Sequence, residues 1–190
     1  MFQVRFHGRG GQGVVTAAEL LSVAAFLEQR HAQAFPSFGS ERTGAPVVSF
    51  CRIDDKEIRL REPILEPDAL IVQDPTLFKV VDVCQGLKRG GYLLVNSNRN
   101  LSELHLDGVA AQLPVEHVLT VPASEFALKY VGRPLPNAAL LGAFAALTGI
   151  VQLNSVAAAI RDAFPSEKIA AANIAAATAA HDAVAAQAAA

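Results

Sequence analysis

Residues 2–21 read F-Q-V-R-F-H-G-R-G-G-Q-G-V-V-T-A-A-E-L-L and carry the clearest indication of the fold class. The first six residues are a strand-like run that leads directly into a glycine cluster. A helix is predicted next, because Val14, Ala18 and Leu21 recur at spacings of four and three along one face. A strand, a glycine turn and a helix in this order predict the first unit of an α/β fold.

Strand-like and helix-like segments alternate along the rest of the chain. The further predicted strands are residues 32–35, 47–53, 57–60, 69–73, 92–95 and 118–121. The further predicted helices are residues 76–85, residues 124–131, one beginning at Asn137, one capped by Asn154 or Ser155, and residues 166–186. The strands at 47–53 and 57–60, joined by Asp54-Asp55-Lys56, are predicted to form an antiparallel hairpin.

These elements predict a three-layer α/β fold with a mainly parallel sheet, helices on both faces and one antiparallel hairpin. No linker or internal repeat is evident, so residues 1–190 are expected to form a single domain that ends in an Ala-rich helix from about residue 166. In such sheets ligands bind beyond the carboxyl ends of the strands. Those ends carry the glycine cluster, the loop at 36–46, Asp74 and Asn96.

The composition argues against two classes of partner. The chain has 190 residues, 52% hydrophobic and 18% charged, with a formal net charge of −2. Binding to nucleic acid or to an anionic membrane needs a basic surface, so neither is expected.

The apolar stretch at 138–151 is shorter than the ~20 residues of a membrane span. With no targeting segment evident at the N-terminus, a cytoplasmic protein is expected.

The cysteines and histidines exclude several kinds of site. Cys51 and Cys84 are the only two cysteines, so this chain alone cannot ligate an iron–sulfur cluster or a cysteine-rich zinc site. A disulfide framework is equally unsupported, which fits a reducing compartment. The five histidines are scattered, and no serine lies in a nucleophile elbow. The residues by themselves indicate a binding domain rather than an autonomous enzyme.

The glycine cluster fits the pattern G-x-G-x-x-G through Gly8, Gly10 and Gly13. Such a loop lets backbone N–H groups and a helix N-terminus face a phosphate, and Arg5, His7 and Arg9 would add positive potential. The alternative is a tight turn that only lets the first helix pack on the sheet. A nicotinamide site is disfavoured, because no acidic residue ends the second predicted strand; Glu28 comes too early and Glu41 too late.

A second unusual segment is the loop F-P-S-F-G-S-E-R-T-G-A-P at residues 35–46. Arg42 has the planar fork that binds a phosphate or a carboxylate. The alternative is that Glu41 and Arg42 form an ordinary surface ion pair that contributes little to stability.

The two segments together resemble one known family. G-R-G-G-Q-G-V-V-T-A-A-E-L-L at 8–21, followed by F-P-S-F-G-S-E-R-T-G-A-P-V at 35–47, is similar to the gamma subunit of 2-oxoacid:acceptor oxidoreductases, of which the pyruvate:ferredoxin enzymes are the best known. The resemblance continues through E-P-D-A-L-I-V-Q-D-P at 66–75, Asn137 and its small-residue helix, and K-I-A-A-A-N-I at 168–174. The E-R-T-G-A-P sequence favours the pyruvate-like branch.

The resemblance implies a non-catalytic subunit of a heteromeric complex with alpha-, beta- and delta-type subunits. Those partners would hold thiamine pyrophosphate, Mg and the iron–sulfur clusters, and would pass electrons to ferredoxin or to a flavin/NAD subunit. This chain would hold no cofactor alone and no metal, and would help to form the face that accepts coenzyme A (CoA). The residues that the resemblance assigns to that face are Gly8, Arg9, Gly10, Gly11, Gln12, Gly13, Ser37, Glu41, Arg42 and Gly44.

Two alternatives stay open at this point. One is an independent Rossmann-like nucleotide-binding protein, and the other is a CoA-binding module that would be a stable monomer. The low charged fraction favours the subunit, because a large obligate interface needs apolar surface. The 2-oxoacid, the electron acceptor and the stoichiometry are left open by the sequence.

Overall fold

Six strands form one mixed sheet in the computed structural model, which describes residues 1–37 and 43–188. The strands are β1 (Phe2–Arg9), β2 (His31–Pro36), β3 (Pro46–Asp54), β4 (Ala69–Val72), β5 (Tyr92–Asn96) and β6 (Val118–Val121). Their order across the sheet is β2-β3-β1-β4-β5-β6. The helices are α1 (Val14–Leu27), α2 (Asp107–Ala110), α3 (Ala123–Val131), α4 (Asn137–Thr148), α5 (Leu153–Ala163) and α6 (Glu167–Ala188).

Strand direction brings the predicted ligand-binding loops to one edge of the sheet. β1, β4, β5 and β6 are parallel, and β3 is antiparallel to both β1 and β2. Because β1 and β2 each oppose β3, they run in the same direction. The glycine cluster after β1, the loop after β2 and the residues after β4 and β5 therefore lie at the same edge. The predicted α/β fold class, mainly parallel with an antiparallel element, is confirmed.

One face of the sheet is covered by α1 and by α3–α6. Side chains of β1 and β4, such as Phe6 and Ile71, are completely buried against Leu21 of α1 and Phe144 of α4. Each fully buried side chain of this kind contributes roughly 1.5–3 kcal/mol. The small residues of α4 and α6 allow these helices to approach closely.

Helix α6 is unusually long, with 22 residues. Residues Glu167–Gln187 form the one helix in the described ranges that is long and apolar enough, by length and composition, to cross a membrane. The most apolar stretch of this helix is 33% buried, and α6 packs against α3, α4 and α5. The core helix of a soluble protein meets the same criterion, so the length alone does not indicate a membrane span.

The opposite face of the sheet carries an irregular layer, and the predicted helix at 76–85 is wrong. Only a 3-10 helix, Pro75–Lys79, forms there, followed by turns. The reason lies in β1, where Arg5 donates hydrogen bonds through Nη2 to the carbonyls of Val83 and Gln85, at 2.9 and 2.5 Å. In an α-helix the carbonyls of residues 83 and 85 would lie on opposite sides of the helix axis, so a single nitrogen could not donate to both; the buried arginine therefore favours turns here.

The antiparallel partner of the strand at 47–53 also differs from the prediction. The segment 57–60 forms no strand, and β3 pairs instead with β2 before it and with β1. The hairpin is therefore β2–β3, connected by the long second loop rather than by Asp54-Asp55-Lys56.

The predicted cap at Asn154 or Ser155 is also wrong, because α5 begins earlier, at Leu153. The N–H of Gln152 donates to Oε1 of Glu28 at 2.7 Å, which holds the chain there.

Two buried arginines explain why the segment after β3 is not a strand. Arg52 is 1% exposed and donates to the carbonyls of Leu60 and Glu62 at 3.5 and 2.6 Å. Arg5, on the neighbouring strand, donates to the carbonyl of Ile64 at 3.4 Å. Burying a charged group is costly unless its donors are paired, so these carbonyls are required by the arginines. The segment after β3 therefore lies across the sheet as irregular structure rather than as a strand.

Candidate functional site

The glycine cluster and the start of β3 are interlocked through their backbones. The N–H of Gly10 donates to the carbonyl of Ala45 at 2.9 Å, and the N–H of Gly44 donates to the carbonyl of Gly10 at 3.1 Å. Gly11, Gly13 and Gly44 have φ values of 93°, 73° and 82°, a region that side chains other than glycine rarely adopt. The two sequence motifs therefore form one substructure at the carboxyl edge of the sheet.

The glycines of the motif have different roles. A Cβ atom on Gly8 would lie 2.6 Å from Cγ2 of Val14, so Gly8 is required for the packing of α1 on the sheet. The alternative interpretation of the motif, a turn that allows helix packing, is therefore correct for Gly8. At Gly11 a Cβ atom would meet nothing within 4 Å. Gly11 is exposed at the tip of the loop, so close packing does not require a glycine at this position.

An open cleft of about 250 Å³ lies against this loop. It is lined by residues 9–11 and 13–16 and by Val47 of β3. The first turn of α1 forms part of the lining, and among the described residues no side chain caps this turn and no acidic residue lies within it. Unpaired N–H groups and the positive end of the helix dipole make such a turn suited to an anion.

Asp74, just beyond β4, ties the glycine loop to the neighbouring turn. Its Oδ2 accepts hydrogen bonds from Nε of Arg9 at 3.0 Å and from Nε2 of Gln12 at 3.1 Å. Its Oδ1 accepts from the backbone N–H and the hydroxyl of Thr76 at 2.9 and 2.6 Å. Arg9 also donates to the Gly44 carbonyl and to the Thr76 hydroxyl, both at 2.9 Å. We call these five residues the Asp74 network.

The carboxyl group of Asp74 is ionised within this network. Burial alone would raise its pKa, but hydrogen bonds from Thr76 and Gln12 and the charge of Arg9 outweigh that effect and lower the pKa. Arg9 is largely committed to the network, although each of its terminal nitrogens keeps a second N–H. The loop is thus held in shape by a fixed ion pair before any ligand binds.

The positive potential expected from Arg5 and His7 is not at the cleft. Arg5 is 7% exposed and its guanidinium is directed to the carbonyls of the irregular layer. His7 is 6% exposed, and its Nε2 accepts a hydrogen bond from Nε of Arg5 at 3.0 Å. Burial, with the Arg5 charge as a second cause, lowers the pKa of His7 to about 3. His7 is therefore neutral and structural.

The buried neutral His7 predicts a specific dependence of stability on pH. Unfolding restores its ordinary pKa of 6.5, so between about pH 6.5 and pH 3 the unfolded chain binds a proton that the folded chain does not. Stability from this group is lost as the pH falls, by roughly 1.4 kcal/mol per pH unit, or about 2 kcal/mol between pH 6.5 and pH 5. His7→Gln keeps an acceptor for Arg5 but cannot titrate, so its free energy of unfolding should fall less.

Urea unfolding of the wild type and of His7→Gln at pH 7 and pH 5 measures this difference directly. Other titrating groups contribute alike to both proteins and cancel in the comparison. If the free energy of unfolding changed equally with pH in the two proteins, His7 would have to take up its proton between pH 7 and pH 5 in the folded state as it does in the unfolded state.

The remaining predicted site residues lie at the same edge or outside the described ranges. Ser37 is exposed just after β2, and its N–H donates to the carbonyl of Val48 at 2.9 Å. Glu41 and Arg42 lie outside the described residues. Asn96 does not face the cleft, because its Nδ2 donates to the Gln73 carbonyl and to a serine hydroxyl of α3, both at 2.8 Å.

The fold brings two further side chains to the loop, Asp74 and Asn137, which are not among the predicted site residues. Asp74 was recognised only as a polar residue at a strand end, and its network is visible only in three dimensions. Asn137, the first residue of α4, lies against Gly13: a Cβ atom on that glycine would be 2.7 Å from Nδ2 of Asn137. In the sequence, Asn137 stands out as a polar residue that opens a helix of small and apolar residues, and as one of the positions that carry the family resemblance.

The described residues offer no grouping of metal ligands. Among residues 1–37 and 43–188, no three His, Cys, Asp or Glu side chains come together as a metal site requires. Cys51 is buried, and Cys84 is half-buried with a pKa that burial raises to about 11. What the arrangement offers is a cleft with backbone and side-chain hydrogen-bond donors.

Comparison with known proteins identifies the family. The sequence pattern of the family described as "Pyruvate ferredoxin/flavodoxin oxidoreductase" matches residues 3–183. The "Pyruvate/ketoisovalerate oxidoreductases common subunit gamma" of Thermococcus litoralis is 50% identical over 167 residues, 88% of this chain and 89% of that protein. "Pyruvate synthase subunit PorC" of Methanosarcina barkeri is 49% identical over 161 residues, 85% of each chain.

A solved structure agrees with this assignment. The crystal structure of pyruvate oxidoreductase subunit PORC from Thermotoga maritima superimposes with a TM-score of 0.80 at 32% identity, covering 95% of each chain. The glycine cluster and the second loop, which carry the resemblance in the sequence, both fall within the matched residues. The chain therefore belongs to the pyruvate ferredoxin/flavodoxin oxidoreductase family, as a gamma-type subunit of a 2-oxoacid oxidoreductase.

Proposed function

We propose that this chain is a non-catalytic gamma subunit that helps to form the CoA-accepting face of its complex. The complex would convert a 2-oxoacid and CoA into acyl-CoA and CO2, releasing one proton and passing an electron pair to ferredoxin or another acceptor. The observation that carries the proposal is the first turn of α1, which no side chain of residues 1–37 and 43–188 caps and which lines the cleft beside an exposed glycine loop. Backbone donors at a helix N-terminus suit the phosphate groups of CoA.

The other cofactors of the reaction would belong to partner subunits. Only two cysteines are present, and they do not supply the thiolates that an iron–sulfur cluster needs. Thiamine pyrophosphate, Mg and the clusters are assigned to alpha-, beta- and delta-type partners, with ferredoxin or a flavin/NAD subunit receiving the electrons. We further propose that residues 1–190 form one gamma-type domain, cytoplasmic and bound to neither nucleic acid nor membrane.

The alternative of an independent Rossmann-like nucleotide-binding protein is disfavoured by strand order. In a dinucleotide-binding fold the strand beside β1 carries the acidic residue that holds the ribose. Here the strand beside β1 on that side is β3, which runs antiparallel and begins rather than ends at the cleft. Binding of NAD by the purified chain alone would favour this alternative.

The first test is to isolate the complex. A tagged chain expressed in its native host and purified anaerobically should bring with it brown, cluster-bearing subunits that contain thiamine pyrophosphate. A colourless chain that is reproducibly free of partners would contradict the proposal.

Gly11→Val tests the role of the loop in CoA use. The substitution places a β-branched side chain at φ 93° on the exposed rim of the cleft. We expect the KM for CoA to rise about tenfold, while 2-oxoacid decarboxylation on the partner subunits is partly retained. Equal loss of both activities would mean that the loop serves only the assembly of the complex.

The matched control is Gly132→Val, which places the same side chain in a similar backbone conformation. Gly132 has φ 78°, a Cβ atom there would meet nothing within 4 Å, and it ends α3 away from the cleft. Both variants should lose similar stability, measured by thermal unfolding, but only Gly11→Val should change the KM for CoA.

A further inference from the structure

Asn137 has an unusual combination of burial and unused hydrogen-bonding capacity. The residue is 7% exposed at the first position of α4, in a helix whose first turn has no acidic residue. Its Oδ1 accepts a hydrogen bond from the N–H of Ala138 at 3.0 Å. Its Nδ2 has no hydrogen-bond partner among the described residues. The side chain as a whole is thus mostly buried, while its Nδ2 keeps N–H groups that no described residue accepts and that a ligand or water can accept.

The orientation of this amide follows from the hydrogen bond it makes. Exchanging Oδ1 and Nδ2 would set two donors, the amide nitrogen and the Ala138 N–H, against each other. With Oδ1 held by Ala138, Nδ2 is directed towards Gly13, the residue just before α1. The close approach requires glycine, because a Cβ atom at position 13 would lie 2.7 Å from Nδ2.

Two helix N-termini thus meet at one point of the glycine loop. Gly13 is the N-cap of α1, its φ is 73°, and no side chain of the described residues caps the helix. Asn137 opens α4, which is likewise without a side-chain cap in the described ranges. Both helix dipoles present their positive ends, and Nδ2 supplies a fixed donor between them. An anionic oxygen is the acceptor that fits all three features.

We propose that Asn137 is a CoA-binding residue, whose Nδ2 donates a hydrogen bond to a phosphate oxygen of CoA at the N-terminus of α1. The inference rests on the proposed function, because it assigns a specific contact within the same site. Asn137 was absent from the residues that the resemblance assigns to the CoA face. Asn137 is the side chain that reaches Gly13, at the N-terminus of α1, and its Nδ2 donates to no described residue.

Asn137→Asp is the most direct test, because it changes one group and keeps the shape. The carboxylate retains an oxygen for the Ala138 N–H but replaces the donor by an acceptor that repels phosphate. In the purified complex we expect the KM for CoA to rise at least tenfold. The KM for the 2-oxoacid should be unchanged, because that substrate reacts on the partner subunits.

Pantetheine separates phosphate binding from binding of the thiol arm. It has the reactive thiol and the amide arm of CoA but no phosphate, so its KM should be the same in the wild type and in Asn137→Asp. A rise for both acceptors would overturn the assignment, since the donor would then serve the arm or the fold. No change for either would overturn it as well.

Two further variants guard against a simple loss of folding. Asn137→Ser removes Nδ2 without adding charge, and we expect a smaller rise of about fivefold in the KM for CoA. Asn173→Asp is the matched control: Asn173 is 5% exposed, and its Nδ2 already donates to the Ile169 carbonyl at 2.9 Å. It should cost stability without changing the KM for CoA.

The series also separates this inference from the proposed function. If Gly11→Val raises the KM for CoA and neither Asn137 variant does, only the assignment of Asn137 is wrong. If none of these variants changes the KM for CoA in an intact complex, the CoA-accepting face itself is wrongly placed.

Discussion

Replacing Gly142 with alanine is expected to lower the free energy of unfolding by about 3 kcal/mol or more. Gly142 lies in the middle of α4 where α6 crosses it, and a Cβ atom there would be 1.9 Å from the carbonyl oxygen of Ala177. That atom belongs to the backbone of α6, so the two helices must move apart to accept even a methyl group. Overpacking of this kind costs typically 1–3 kcal/mol, and more where backbone has to shift.

Gly108→Ala is the control that makes the result diagnostic. Gly108 lies in the exposed helix α2, where a Cβ atom would meet nothing within 4 Å. Because alanine has a higher helix propensity than glycine, this change should stabilise the protein by up to about 1 kcal/mol. The two substitutions are chemically identical and should have opposite signs in urea unfolding. A Gly142→Ala protein as stable as the wild type would mean that α4 and α6 separate without cost.

The consequence of this contact reaches the candidate site. Helix α4 begins at Asn137, beside Gly13, so any displacement of α4 moves the amide relative to the glycine loop. Variants of Gly142 that still assemble should therefore show a raised KM for CoA together with lower stability. The small residues of α4 and α6 are thus part of what positions the site, although none of them lies in it.

Local sequence patterns predicted the elements that have a strong local signal. The strand at 69–73 is a short apolar run that ends at Asp74-Pro75, and β4 is found at Ala69–Val72. Glycine residues between a strand and an apolar helix predicted the loop at 8–13, and the rule that loops gather beyond strand ends placed it near Asp74. These inferences need only neighbouring residues and one topological rule.

The elements that were predicted wrongly are those that depend on distant side chains. The segment at 57–60 has the composition of a strand, but Arg52 takes the carbonyl of Leu60, and Arg5 takes those of Val83 and Gln85. A buried arginine must find acceptors, and the segments that supply them are far away in sequence. The contact between Gly13 and Asn137 is of the same kind, because it exists only once α1 and α4 have packed.

The second large effect is expected for Asp74→Ala, which should raise the KM for CoA about 100-fold in an assembled complex. The substitution removes the acceptor shared by Arg9, Gln12 and Thr76, so the loop would lose the bonds that hold it in one conformation. A displacement of about 1 Å in a binding element can cost on the order of 100-fold. Charge-assisted hydrogen bonds are also worth about 1.5–3 kcal/mol each, so stability should fall as well.

Asp68→Ala provides the control, because Asp68 lies at the opposite end of the same strand. Its carboxylate accepts from the Gln3 N–H at 2.8 Å and from Nζ of Lys88 at 2.7 Å, so its removal also breaks an ion pair and a backbone contact. Both variants should lose stability, measured as the free energy of unfolding in urea. Only Asp74→Ala should raise the KM for CoA; equal values in the two variants would reduce Asp74 to a contributor to stability.

A double-mutant cycle then tests whether Arg9 acts with Asp74 or independently on the ligand. If Arg9 mainly holds the loop, removing it after Asp74 has gone should change little, and the effects of Arg9→Ala and Asp74→Ala on the KM for CoA will not add. If the free N–H groups of Arg9 also contact a phosphate, the double variant will be weaker than either single one by a further tenfold or so. The non-additive result is expected, because each nitrogen of the guanidinium already has an acceptor in the Asp74 network.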